Sequence, residues 1–192
     1  MSLNILLITD ELIKDRTQVH GNIDPELIHP DIRVAQDMYL HPLLGSALYN
    51  KISDDFNSAT GLTGNYATLY NLYIVDTLMW YVLAELATSL SYQFWNKGIV
   101  RKQGSDTELP SYDELMAVQN KYKQRAEFYA NRLRLYLKEN AATMFPEYLN
   151  PGSGVDAIYP DNKTFSMPVY LGDESDCGKS YEEIYQGNKP SC

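Results

Sequence analysis

Residues 28 to 52, IHPDIRVAQDMYLHPLLGSALYNKI, constrain the fold more than any other stretch of this chain. Ile32, Ala35, Gln36, Tyr39, Leu40 and Leu43 recur at i, i+3, i+4, i+7 and so occupy one face of a helix. Pro30 sits where a helix can start without wasting an N–H. Pro42 disfavours helical geometry at His41, so a change of direction is predicted there. With Gly45 it punctuates the run, and a second amphipathic segment carrying Leu48, Tyr49, Ile52 and Phe56 follows at once. The stretch is dense in packing residues and is read as holding no residue suited to chemistry, which points to a protein that fits against others.

The periodicity extends to a whole architecture. A small helix is predicted near 10–17, capped by Thr9 or Asp10. A turn-rich link over 18–29 contains Gly21, Asn22 and Pro25. Helices are predicted over 31–41 and 46–57, then a loop over 58–64. Residues 65–96 are apolar nearly all round, from Leu69 through Trp80 to Phe94 and Trp95, as in a helix buried on most sides. About 20 apolar residues would cross a membrane. Asp76 and Glu85 interrupt this run, however, and each acid at membrane depth costs about 2.5–3.5 kcal/mol. No membrane association is expected.

Residues 96–110 form a polar interruption in which Ile99 and Val100 can make a short strand or hairpin limb. Ser111 and Glu114 then make a capping box. The long helix that follows, over 111–141, carries Leu115, Val118, Tyr122, Arg125, Ala126, Tyr129, Leu133, Tyr136 and Leu137 on one face. It is expected to fade between Asn140 and Pro146. The predicted fold class is all-α: a helical bundle with two long helices joined by a short loop or β-hairpin, plus an extended C-terminal arm.

The arm differs in kind. Residues 1–149 read as the body. Residues 150–192 hold five of the eleven glycines and four of the nine prolines, with seven acids and three bases. Ordering backbone costs about 1–2 kcal/mol per residue. The few apolar side chains here return at most about 1.5–3 kcal/mol each. Order in this segment therefore requires something to hold it, either its own domain or a partner. Pro168 confines any strand over 164–171 to an edge.

Net charge is −9, with a sequence pI near 4.7, which argues against wrapping nucleic acid as a main role. The charge is uneven. Residues 97–138 carry nine bases against five acids, a surplus of +4, which leaves −13 elsewhere. That basic stretch is either a solvated face or a surface that meets an acidic neighbour, and it supports an alternative reading as a DNA-binding accessory protein. The two cysteines, Cys177 and Cys192, give neither a disulfide framework nor zinc spacing, so a reducing compartment is expected. MSLNILLITDEL lacks the basic n-region of a signal peptide.

Motifs that carry chemistry are weak. GDESDCGKS at Gly172 to Ser180 resembles a phosphate-binding loop, but five residues separate the first Gly from Gly-Lys-Ser where the motif has four. Three of the five are acids that would repel phosphate. His20, His29 and His41 lie near Asp24, Glu26, Asp31 and Asp37, so a two-His, one-carboxylate metal site is conceivable. Asp54-Asp55 and Glu182-Glu183 read as solvated charge. Asn162-Lys163-Thr164 is a glycosylation acceptor only in a secreted chain. No catalytic residue, metal or cofactor is expected. Sixteen tyrosines is a high count, and tyrosine is favoured at interfaces. Tyr39, Tyr49, Tyr73, Tyr81, Tyr129 and Tyr136 are the candidate subunit-interface residues.

Three places carry a family resemblance. The first is I-x-P-x-I-x-x-A-Q-x-x-Y-L-x-x-L-L-G over Ile28 to Gly45, with Leu48-Tyr49 after it. The second is the Asn96-Lys97-Gly98-Ile99-Val100 loop between two long helices. The third runs from Ala126-Glu127-Phe128-Tyr129-Ala130 to Phe145-Pro146-Glu147-Tyr148. In this order they resemble the head–tail adaptor (connector, or head-completion) proteins of tailed bacteriophages, most closely those of crAss-like phages of Bacteroidetes. The resemblance spans roughly residues 5 to 150 and rests on packing patterns. It implies a non-enzymatic virion protein at the head–tail junction, assembled in the bacterial host cytoplasm. It implies a homo-oligomeric ring, typically of twelve copies, bound to the portal protein and to a tail or second adaptor protein. DNA would pass through the lumen without sequence-specific binding, which suits an acidic protein. A terminal arm in such adaptors docks on the portal, which nominates Tyr159, Phe165, Val169, Tyr170, Leu171, Tyr181, Ile184 and Tyr185 as docking residues.

Overall fold

The computed structural model describes residues 5–95, 98–101, 111–152 and 157–160. They belong to one compact unit, Met1–Asp161, so this unit runs past residue 149. The described residues are predominantly helical, as the sequence predicts, with one two-stranded antiparallel hairpin.

Helix α1 (Asp10–Arg16) is capped by Thr9, whose side chain accepts from the Leu12 N–H. Helix α2 runs Pro25–Ala35, with Asp24 as its cap and Pro25 in its first turn. The predicted start at Pro30 is therefore corrected. Asp24 and Pro25 supply both start signals five residues earlier, and Pro30 lies inside the helix, where it forfeits one backbone bond near exposed Glu26.

The predicted break at Pro42 is also corrected. A π-helical turn, Gln36–Leu40, leads straight into α3 (His41–Leu44), and His41 has ordinary helical dihedrals, φ −57° and ψ −46°. The widened turn makes room for the proline ring that a regular helix would exclude. The chain reverses three residues later at Gly45, with φ 77°. Helix α4 (Ser46–Asn57) follows. The stripe itself holds: Ile32, Ala35, Gln36, Leu40, Leu43, Leu48, Tyr49 and Ile52 are all buried.

The next helical run is α5 (Gly64–Leu69), a second π turn at Tyr70–Ile74, and α6 (Val75–Ser89). It ends at Ser89, short of the predicted residue 96. The Ser89 and Ser91 hydroxyls bond back to the carbonyls of Glu85 and Ala87, which competes with helix continuation. Phe94 and Trp95 lie instead in strand β1 (Tyr92–Trp95), paired with β2 (Gly98–Arg101) in the register Tyr92↔Arg101 and Phe94↔Ile99. Leu72, within the run read as buried on most sides, is half exposed.

Helix α7 runs Tyr112–Met144 and begins with the predicted capping box. The Ser111 N–H donates to Glu114 Oε2 at 2.7 Å, and the Glu114 N–H donates to Ser111 Oγ at 3.3 Å. It ends at Met144, within the stretch where it is expected to fade, and the short α8 (Pro146–Leu149) follows. Its buried face is Leu115, Gln119, Ala126, Ala130, Leu133, Leu137 and Ala141. Val118, predicted on that face, is exposed.

Helix α6 is the centre, packed against both α2 and α7. Tyr81, Glu85 and Ser89 meet the α2 side, through Tyr39 and Asp31. Tyr73 and Trp80 meet α7. The two sets lie about a third of a turn apart around the helix.

Candidate functional site

The candidate site is a surface. It is most structured along the seam between α6 and α7. Tyr73 stacks on Tyr136 with centroids 4.2 Å apart. Trp80 lies near-parallel to Tyr122 and Tyr129 at 6.1 and 6.5 Å. Two arginines one heptad apart close the seam: the Arg125 guanidinium sits 4.9 Å from the Trp80 centroid, and Arg132 sits 4.9 Å from the Tyr73 centroid. Each cation rests on the negative face of a ring, an attraction of about 0.5–1 kcal/mol at exposed sites. Among the described residues neither arginine forms an ion pair.

Below this seam Phe128 and Leu135, seven residues apart on α7, are 66% and 68% exposed on the side away from the buried stripe. Residues 121–138 carry six bases (Lys121, Lys123, Arg125, Arg132, Arg134 and Lys138) against one acid, Glu127. On the other flank of α6, Leu27, Val34 and Met38 are 39%, 38% and 62% exposed. Residues 24–40 carry four acids (Asp24, Glu26, Asp31 and Asp37) against Arg33. Sequence reasoning missed both apolar sets as surfaces. Their signal is apolar side chains out of phase with the buried stripe of the same helix.

The tyrosines singled out from sequence find partners within the chain. Tyr39 stacks on Tyr81 at 4.2 Å and 4°, and its hydroxyl donates to Glu85 at 2.6 Å. Tyr49 and Tyr81 are buried. Tyr49 stacks on His41, and its hydroxyl accepts from Gln36 Nε2 at 3.3 Å. Tyr129, like Tyr73 and Tyr136, belongs to the seam. Burial pushes the phenols of Tyr39, Tyr49, Tyr70 and Tyr81 above their usual value.

The three histidines go to three places. His20 Nδ1 accepts from the Asn22 N–H, His29 Nε2 lies 3.7 Å from Asp10, and His41 Nε2 is 2.9 Å from Ser46 Oγ. Burial lowers the His41 pKa, opposed by the Asp37 charge. Among the described residues no group of three or more His, Cys, Asp or Glu is placed to hold a metal ion. A cleft of about 450 Å³ opens between the 18–23 link, the end of α6 and the start of α7, lined mainly by Val19, Ile23, Leu83, Leu86, Leu90 and Leu115. Among the described residues no helix is long and apolar enough to cross a membrane.

Of the predicted arm, the first residues hold to the body. The Ile158 N–H donates to Ser46 Oγ at 2.8 Å, and the Ser46 N–H donates to the Ile158 carbonyl at 2.9 Å. Tyr159 beside them is exposed. Phe165, Val169, Tyr170, Leu171, Tyr181, Ile184 and Tyr185 lie outside the described residues, as does the GDESDCGKS segment.

These features define a helical protein whose notable surface is two charged, apolar-centred faces flanking one central helix. The chain belongs to a family of unknown function, DUF6712, whose pattern it matches over residues 40–158. No curated protein and no solved structure matches it.

Proposed function

We propose that this protein is a structural subunit of a phage head–tail adaptor ring, placed between portal and tail and surrounding the DNA channel. The observation that carries the reading is the outer face of α7. Phe128 and Leu135 stand two-thirds exposed on the side of α7 away from its buried residues, in a stretch rich in bases. Exposed large apolar groups rimmed by charge mark surfaces that another protein covers. The order of sequence patterns supplies the kind of assembly.

In this reading the stretches over 31–57, 65–96 and 111–141 form the adaptor body and its lateral contacts. Residues 162–192 act as the arm that docks on portal. The test is co-assembly with portal, imaged as single particles. The full chain is expected to form a ring on the portal, and a chain ending at Asp161 is expected to fold but to lose portal affinity. A full chain that does not engage portal overturns the reading.

The surplus of bases over 121–138 favours a second reading, a DNA-binding accessory protein using the stretch 97–138. Binding to duplex DNA that falls steeply with salt would support it.

A further inference from the structure

We infer that two copies of this chain associate head to tail, the outer face of α7 on one covering the outer face of α2 on the next. This rests on the ring reading and names the surfaces that build the ring. The two faces match in chemistry. The α7 face offers Phe128 and Leu135 among Lys121, Arg132 and Lys138; the α2 face offers Leu27, Val34 and Met38 among Glu26 and Asp37. Residues 121–139 carry six bases against two acids, Glu127 and Glu139, and residues 24–40 carry four acids against one base, with Asp37 paired to Arg33 and Asp31 bonded to Ser89. Complementary charge around an apolar centre favours this pairing and disfavours α7 against α7 or α2 against α2.

The faces also lie where such an association needs them. Helix α6 meets α2 through Ser89 and the π turn after α2 through Tyr81 and Glu85, while Trp80 and, in the π turn before α6, Tyr73 meet α7. The two faces therefore sit on different flanks of one protomer, so a protomer can use both at once. A contact between unlike faces repeats, and it closes into a ring when the rotation per subunit divides a full turn. Arg125 and Arg132, held over Trp80 and Tyr73, enter the contact with part of their side-chain freedom already lost.

The test uses two full-length variants with one face disabled in each: Phe128→Asp with Leu135→Asp, and Val34→Asp with Met38→Asp. All four positions are exposed, so both variants are expected to keep the wild-type thermal midpoint. By analytical ultracentrifugation the wild type is expected to form higher species. Each variant alone is expected to be monomeric, and an equimolar mixture to form a dimer that grows no further. A milder variant, Lys121→Glu with Lys138→Glu, is expected to weaken association about tenfold through lost charge complementarity alone.

Continued assembly of either double variant by itself overturns the inference, as does a mixture that stays monomeric. A wild type that is monomeric at every concentration also overturns it. The ring reading fails separately, if the wild type does not engage portal.

Discussion

Gln36 and Tyr70, the first residues of the two π turns, hold the two polar groups of the same residue. The Leu7 N–H donates to Gln36 Oε1 at 2.7 Å, and the Leu7 carbonyl accepts from the Tyr70 hydroxyl at 2.5 Å. Gln36 is 0% exposed, and its Nε2 donates to the Ile5 carbonyl and the Tyr49 hydroxyl as well. A segment without regular secondary structure is thereby tied down through the backbone of Leu7 and Ile5, and Leu7 and Ile8 enter the core.

Gln36→Leu is expected to cost about 2–4 kcal/mol, because it strands a buried donor and a carbonyl while keeping the volume. Tyr70→Phe, which removes one bond, should cost about 1 kcal/mol. Urea unfolding measures both. A Gln36→Leu loss within about 0.5 kcal/mol, the range of neutral surface changes, would contradict the clamp.

Asp31 sits at the contact of α2 with α6. Burial raises its pKa, the Glu85 charge adds to this, and the Ser89 hydroxyl opposes it. A carboxyl raised in the folded state favours folding below its unfolded pKa, and that favour is lost as pH rises through the folded value. Ionised Asp31 therefore works against the fold at neutral pH. Asp31→Asn, which keeps an acceptor for Ser89, is expected to raise the thermal midpoint at neutral pH. The gain should shrink below the usual carboxylate range. Equal midpoints at neutral pH would contradict this.

Burial and the hydrogen bond to Glu147 push the Tyr66 phenol up to about 12. Its contribution to stability is present below the ordinary phenol value near 10 and is lost as pH rises toward 12. Ultraviolet titration of tyrosinate should show a late-ionising component that shrinks in Tyr66→Phe. A titration unchanged by that substitution would exclude the assignment.

Gly45 has φ 77°, and a Cβ placed there would lie 2.8 Å from the Pro160 ring. Gly45→Ala is expected to cost about 1–2 kcal/mol for the backbone alone, with more from the clash. It should also free the 157–160 segment, since the Ser46–Ile158 bonds lie next to it. Limited proteolysis should then cut near Ile158 faster than in the wild type. Pro160→Ala should relieve only the clash, so the double variant should recover part of the loss.

Which positions pack was legible along the chain, because burial follows helical period. The stripe from Ile32 to Ile52 and the Ser111–Glu114 box are local patterns, and they read correctly. What the chain hid was the response of the backbone to its own exceptions. A π turn carries no sequence mark of its own, so Pro42 reads as a break although the widened turn at 36–40 absorbs it. Serines at 89 and 91 look compatible with an apolar helix until their hydroxyls turn back on it. Gln36 reads as a polar intruder on an apolar face, and its role depends on Leu7, 29 residues away. The faces around Phe128 and Met38 were missed for a related reason. Period identifies the buried side of a helix, while an exposed apolar pair shows itself only once the buried side is fixed.

The most direct measurement is mass photometry of the purified protein, alone and mixed with portal. A ring subunit should give either a discrete multimer by itself or, with portal as template, a complex whose added mass is a fixed whole number of protomers, twelve on the family resemblance. A protein that remains a monomer and adds no mass to portal would contradict the adaptor reading.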